Sequence, residues 1–304
     1  MTMRVDLLTL WSWEYDEPFI HMLQRACTAR GMDALFVGGP DALNVNELHE
    51  MARRLDSGEL HARAVLDRVW DWGGEFETHV PAVRRHVPHV VNDYDLVRTA
   101  WNRPHVHYQL MQHGLRVPHL VLLPSYDDVQ DVPQIDLSIL GNRFSVKGAY
   151  SGGSGVLAPA HTWDDVLEQR REWRSDQTLV QEWIEPRMLG DRPAWFRLFY
   201  ACGSVFPCWQ DDHTHVQTPL TPHDYQRFGL NMLHGMMQQI AGLCGLNLFS
   251  TEIALDELGR WVVVDYINEP CDYRPKSTIT NGVPDEIVAT ITDRIAGWVK
   301  KATA

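Results

Sequence analysis

Glu252, Asp265 and Asn268 fall in the segment LFSTEIALDELGRWVVVDYINEPCDYR, which reads as two β-rich runs joined by a turn. Asp256-Glu257-Leu258-Gly259 has the composition of a hairpin turn, with Gly259 where φ > 0 is tolerated. The apolar run over 261–264, bounded by Gly259 and Pro270, has the look of a buried strand. Antiparallel pairing across the turn brings Glu252 and Asp265 to one end, able to converge on a single cation. Magnesium is hard and octahedral and takes one or two carboxylates plus phosphates and waters, so the three oxygens suit a magnesium nucleotide. The plain alternative is a set of solvated residues at strand ends.

Two upstream motifs favour the nucleotide. In FSVKGAYSGGSGV a short strand delivers Lys147 into a glycine-rich loop containing Gly152, Gly153, Ser154 and Gly155. Glycines let backbone N–H groups approach phosphate oxygens closely, and an ammonium adds a point charge for the same anion. The lysine precedes the glycines, so this is not a GxxxxGK[ST] loop; by itself it equally describes a surface turn. In LVQEWIEP a strand carrying Gln181 is stopped by Pro186. There Glu182 can accept from the amino group of adenine, and the main chain near Trp183 and Ile184 can serve the ring.

Three further groups carry alternatives. His213 and His215, preceded by Asp211 and Asp212, are either transition-metal ligands or a solvated loop or lid. Asp272, Arg274 and Lys276 either present two cations to a substrate carboxylate or form a polar loop. Trp11 with Trp13, and Trp70 with Trp72, line a pocket or pack a core and a domain interface.

The elements that must position these groups begin as a βαβ alternation, which predicts parallel pairing. Strands are expected over 5–10, 34–37, 64–67 and 89–91. Helices are expected over 17–30, with Phe19, Ile20, Leu23 and Cys27 on one side, and over 44–55, capped by Asn44. Gly38 and Gly39 follow a strand but lack the spaced third glycine of a dinucleotide fingerprint. Strands over 119–123 and 144–147 bracket a polar, proline-bearing loop, and Thr162 caps a helix over 161–173. Strands over 195–202 and 204–208 turn at Gly203. The longest helix is predicted over 222–244, with Pro222 in its first turn and Gly245 at its end, and a last helix over 282–300. There is no internal repeat and no low-complexity tract.

Taken in order, the lysine strand, glycine-rich loop, 181–184 segment and acidic-acidic-Asn set resemble the ATP-grasp superfamily, of the carboxylate–amine ligase type that includes glutathione synthetase and the ribosomal-protein glutamate ligases. The resemblance covers most of the chain, since Val90-Val91-Asn92, Trp101-Asn102-Arg103, a helix, Gly114 and Val117-Pro118 look like the family's entry to its nucleotide domain. It implies an α/β (α+β) architecture: a pre-ATP-grasp α/β domain over 1–100, a central lid-bearing subdomain over 101–187, and a carboxy-terminal subdomain with the metal site over 188–304. The nucleotide would lie between the last two. It further implies that Lys147 contacts the α- and β-phosphates, that the 152–155 loop covers them, and that 181–184 holds adenine. Glu252, Asp265 and Asn268 would carry Mg2+, with Mn2+ an admissible substitute. Arg197, in WFRLFY, would stand near the transferred phosphoryl group and act with Lys147 in catalysis. Two positions depart from the pattern. Arg103 stands where a lysine is common, and a planar guanidinium fork is not an ammonium. Asp265 and Asn268 have Asp-x-x-Asn spacing where many members have Glu-x-Asn; either a bulge absorbs the extra residue or Glu269 is a ligand instead.

The chain has 304 residues and 44% hydrophobic content, enough for two to three compact units. No run of about 18 apolar residues occurs, and MTMRVD enters a strand rather than a signal peptide. A cytoplasmic location and no membrane partner are expected. Five cysteines without a CxxC pair argue against a disulfide framework or a structural zinc. A net charge of −13 argues against binding nucleic acid.

The expected chemistry is activation of a carboxylate by ATP to an acyl phosphate, then attack by an amine with release of ADP and phosphate. Amino-acid or peptide substrates and a homodimer are the expected partners. Two other classes stay open: a small-molecule kinase of the same fold, and a nucleotide-binding regulator without turnover.

Overall fold

The computed structural model describes residues 2–39, 43–70, 73–150 and 156–304. The chain opens with β1 (Met3–Trp11), α1 (Glu17–Ala29), β2 (Ala34–Gly38), α2 (Val45–Asp56), β3 (Leu60–Arg68), α3 (Val80–His86) and β4 (His89–Val91). Its strands form one sheet in the order β2-β1-β3-β4, paired parallel as the βαβ alternation requires. Leu7, Leu8 and Leu10 of β1 are all fully buried, because helices cover both faces of a parallel sheet. Asn44 caps α2 through a capping box with Glu47. Gly38 ends β2 beside Trp11, where a Cβ would sit 1.8 Å from the Trp11 carbonyl oxygen. Its role is this close backbone approach, not phosphate binding.

Next come α4 (Tyr94–Trp101) and α5 (Arg103–Gln112), separated by Asn102, whose side chain accepts from His105 N to cap α5. A second, antiparallel sheet, β5-β8-β6-β7, contains β5 (Leu120–Leu123), β6 (Phe144–Gly148), β7 (Leu157–Ala160) and, after α6 (Trp163–Glu172), β8 (Thr178–Glu182). A small hairpin, β9 (Met188–Leu189) with β10 (Arg192–Pro193), leads into the third sheet. That sheet comprises β11 (Trp195–Ala201), β12 (Ser204–Gln210), β13 (Gln217–Pro219), then α7 (Pro222–Phe228) and α8 (Met232–Cys244), then β14 (Leu248–Leu255) and β15 (Trp261–Asn268). Its order is β13-β12-β11-β14-β15, antiparallel throughout. The chain closes with α9 (Asp285–Ala302).

One expected element is corrected. The helix predicted over 222–244 is two helices, because Gly229 takes φ +69° in the left-handed region and its N–H donates to Tyr225 O, ending α7. The longest helix is instead α9.

The first and third sheets share their cores. Leu8, Val65 and Tyr94 pack in one cluster with Phe196, Met237 and Phe249, and Leu7, Phe19 and Leu66 pack in another with Phe199, Ile291 and Ile295. The second sheet has its own core of Leu123, Phe144, Val146, Val166 and Val180. Trp70 is buried and stacks on Trp101 at 4.9 Å, and Trp11 is buried in the second shared cluster, so both serve packing; Trp72 lies outside the described residues. The five cysteines are free. Among the described residues no helix is long and apolar enough to cross a membrane.

Candidate active site

Three strands of the third sheet place charged side chains in a single cross-strand row. Arg197 of β11 stands opposite Glu252 of β14, and Glu252 stands opposite Asp265 of β15. Asn268 pairs with Ser250, so three steps along β15 match two along β14. In an unbroken strand the third neighbour faces the opposite side. The irregularity in β15 supplies one extra residue and returns Asn268 to the Asp265 side, which accommodates the Asp-x-x-Asn spacing. Two carboxylates and a carboxamide at the meeting of two strands form a hard oxygen set of the kind magnesium takes.

The surrounding charges are arranged for a polyanion. Arg197 Nη1 donates to Glu252 Oε1 at 2.6 Å and Trp195 Nε1 donates to Oε2 at 3.0 Å, so β11 fixes both oxygens of Glu252. Burial would raise the Asp265 pKa, but Lys147, Arg197 and Arg103 together hold its carboxyl below the usual carboxylate range. Burial pushes the Lys147 ammonium down against the pull of Asp265 and Glu252. Lys147, Arg197 and Arg103 thus surround Asp265 with positive charge of the kind phosphate oxygens take.

Lys147 comes from β6, as the sequence predicts, and Arg103 from the first turn of α5. Arg103 Nη1 donates to Gly148 O at 3.1 Å and its backbone N–H donates to Ala149 O at 3.3 Å, joining α5 to the end of β6. A cavity of about 270 Å³ opens here, lined by Trp101, Arg103, Tyr150, Asn268 and Glu269. The candidate phosphate cover, Gly152, Gly153, Ser154 and Gly155, lies outside the described residues.

The candidate adenine segment leaves β8 where the second sheet gives way to the third. Glu182 Oε2 accepts from His119 N at 2.9 Å and lies 3.1 Å from His119 Nδ1, so this carboxylate is already fastened to the start of β5. The Trp183 N–H donates to Arg143 O, and Ile184 is buried against Ala254 and Val262. A link that the sequence does not reveal joins this segment to the metal strand: Gln181 Nε2 donates to Tyr266 Oη at 2.9 Å, and the Tyr266 hydroxyl donates to His107 Nδ1 at 2.5 Å. Burial, and then the Lys147 charge, push the His107 pKa down to about 4, consistent with a neutral ring that accepts. Burial and the Asp265 charge push the Tyr266 phenol up.

Glu252 also lines a second cavity of about 170 Å³, together with Arg197, Gln210, His215, Gln217, Asp272 and Arg274. Arg274 Nε and Nη2 donate to Asp272 Oδ2 at 2.8 and 2.6 Å, and its guanidinium lies over the rings of Trp13 and Tyr15. Lys276 is not in this lining; its ammonium donates to Gln217 O at 2.7 Å and pins β13. Gln210 and Gln217 escape sequence reasoning because only long-range strand pairing brings them here.

The loop carrying His213 and His215 is held by a turn: Asp211 Oδ1 accepts from His213 N, Thr214 N and Thr214 Oγ1. Among the described residues no group of three or more His, Cys, Asp and Glu is placed to hold a metal. The first sheet also steadies the site. Arg68 Nη2 donates to Asp16 Oδ1 at 2.8 Å and to Cys271 O at 3.1 Å, and Trp101 Nε1 donates to Glu269 O at 2.6 Å.

Comparison with known proteins agrees with this architecture. No protein-family model matches the chain, and no curated protein matches it in sequence. Among solved structures it is similar to a RimK domain protein ATP-grasp from Sphaerobacter thermophilus DSM 20745, at 19% identity and a TM-score of 0.62, covering 97% of this chain and 99% of that one. D-alanine–D-alanine ligase from Bacillus anthracis, complexed with ATP, matches at 11% identity and a TM-score of 0.67, covering 99% and 98%. The ATP-grasp ligase PsnB, complexed with the precursor peptide PsnA2 and AMPPNP, matches at 13% identity and a TM-score of 0.65, covering 100% and 99%. Likeness across nearly the whole of each chain, at identities this low, establishes the fold: this chain is built on the ATP-grasp fold.

Proposed function

We propose that the protein is an ATP-dependent ligase that joins a carboxylate to an amine through an acyl phosphate, releasing ADP and phosphate. The observation that carries this reading is the row Arg197, Glu252, Asp265, with one cavity on the Arg103 side and another on the Arg274 side. A reaction between a nucleotide and a second substrate needs such a divided site. The names of the fold neighbours agree, among them PsnB with Mg and ADP and the D-alanine–D-alanine ligase with ATP.

In this reading the phosphates enter the Arg103 cavity, where Lys147 and Arg103 offset their charge, and adenine lies along 181–184 between the 101–187 and 188–304 subdomains. Glu252, Asp265 and Asn268 would hold Mg2+, which supplies charge neutralisation at the phosphoryl oxygens. The substrate carboxylate enters the Arg197 cavity. One of its oxygens forms a bond to the γ-phosphorus as the bond to the β-phosphate oxygen breaks. Arg197 steadies the charge that develops on the transferred group. The amine then attacks the acyl carbon, and phosphate leaves. No side-chain nucleophile is needed, so catalysis rests on positioning and preorganised charge.

The test is incubation with magnesium and ATP, with and without pooled carboxylates and amines, assaying ADP, AMP and free phosphate together. Pool-dependent ADP with matching phosphate is expected. ADP without phosphate would make the protein a kinase, AMP with pyrophosphate would overturn the acyl phosphate, and no nucleotide turnover would leave a binding protein.

A further inference from the structure

Two glutamines on neighbouring strands of the second cavity are buried with hydrogen-bonding capacity unused. Gln210 ends β12 and Gln217 begins β13, and the two are paired in register. They are 3% and 8% exposed, and both line the cavity beside Arg197 and Arg274. Gln210 Nε2, a donor, and Gln217 Oε1, an acceptor, are each buried with no partner. An unsatisfied buried polar group costs about 1–3 kcal/mol, and apolar side chains of similar volume would fill the same space without that cost. Two such groups of opposite hydrogen-bonding sense, side by side in a cavity, are complementary to a ligand that carries both senses.

Charge decides which ligand. Arg197 is paired with Glu252 and Arg274 with Asp272, so these two guanidinium groups are matched by two carboxylates and leave no surplus for the glutamines to share. The reacting carboxylate meets Arg197; a second free charge, the ammonium or second carboxylate of an unmodified amino acid, buried against the glutamines would lack a counter-charge and would be costly. A neutral amide, with an N–H and a C=O on adjacent atoms, meets an acceptor and a donor without importing charge. At about 170 Å³ the cavity is smaller than the roughly 300–1,000 Å³ of sites that enclose a whole small molecule. The rest of the substrate therefore extends outward past the exposed His215.

The geometry points to Gln210 and Gln217 as the binding site for an amide group of the acceptor, so that the molecule activated at Arg197 is a peptide or a carboxamide-bearing acid rather than a simple free amino acid. This rests on the ligase reading, which makes this cavity the acceptor's.

Two measurements on the full chain test it. The first is the melting temperature of the ligand-free Gln210→Met/Gln217→Met variant, which is expected to exceed that of the native protein because two unsatisfied groups have gone. A lower melting temperature would assign the glutamines a structural role and overturn the inference. The second compares ADP release with Mg-ATP and three pools: dipeptides, asparagine with glutamine, and the remaining free amino acids. Release with dipeptides identifies a peptide bond as the bound amide, and release with asparagine and glutamine a side-chain carboxamide. In either case Gln217→Met should raise KM for that pool about tenfold, equivalent to about 1.4 kcal/mol, with little change in kcat. Release with only the remaining amino acids, unaltered in the variant, would overturn the inference and leave the ligase reading standing. No release with any pool would remove the ligase reading, and the melting comparison alone would then decide whether the glutamines face a ligand.

Discussion

Arg197 and Glu252 face each other across β11 and β14, 2.6 Å apart with side chains 15% and 14% exposed, and both line the second cavity. On the proposed ligase reading the guanidinium would meet the acceptor and its partner the cation. Both charges are withdrawn from water, so each depends on the other.

Arg197→Met is expected to lower kcat about 10²–10³-fold, the usual cost of removing one preorganised donor from a transition state, while the KM for ATP changes little. Urea unfolding should show about 3 kcal/mol lost in each of Arg197→Met and Glu252→Leu, because each strands a buried charge. The double variant should lie closer to the native protein than either single one. Additive losses would mean the pair is not coupled.

Asp265 is the carboxylate on which Lys147, Arg197 and Arg103 all act. Asp265→Asn should weaken ADP binding at least about tenfold in the presence of magnesium, or about 1.4 kcal/mol, and should abolish the difference between titrations with magnesium and with EDTA. Calorimetric titration of ADP under both conditions checks this; a retained magnesium effect would place the cation elsewhere.

His107 gives the protein an acid-sensitive contact. Its pKa is about 4 when folded, against an ordinary 6.5. In this window the unfolded chain binds the proton first, so stability falls as pH falls. The contribution of His107 is fully present above pH 6.5 and is lost as pH descends toward 4. Thermal melts between those values should show a decline that is shallower in His107→Gln, whose side chain cannot titrate.

Two glycines should respond differently to alanine. At Gly229 a Cβ would meet nothing within 4 Å, so Gly229→Ala should cost only the left-handed backbone penalty of about 1–2 kcal/mol. At Gly38 the Cβ would strike the Trp11 carbonyl, and β2 would have to move away from β1. Gly38→Ala should therefore melt well below Gly229→Ala; equal melting would show that this edge of the sheet yields.

The sequence made legible what depends on local pattern. The alternation of the first sheet and the hairpin at 256–259 follow from strand periodicity and turn chemistry, and the hairpin brings Glu252 and Asp265 to one end, but their direct opposition needs a register shift between Glu252 and Ile253 that periodicity does not give. The bulge that realigns Asn268 was one of two open possibilities, because a spacing alone does not say how a strand absorbs an extra residue. The helix break at Gly229 is not legible because Gly235 and Gly242 lie within α8, so glycine is a poor stop signal in this stretch. The engagement of Glu182 by His119, of Lys276 by the Gln217 carbonyl, and the bond from Gln181 to Tyr266 were not legible at all. Each joins residues that only the folded sheets bring together.

The second sheet keeps a hydrophobic core to itself, while the first and third share theirs. A core that is not shared can open by itself. Amide protons of β5, β6 and β8 should exchange with deuterium through a partial opening that leaves β1 and β14 closed. If the nucleotide lies across both units as proposed, it should slow that exchange, whereas an acceptor held by the third sheet alone should leave it unchanged. Exchange rates thus distinguish the two ligands by where each one grips, before any product has formed.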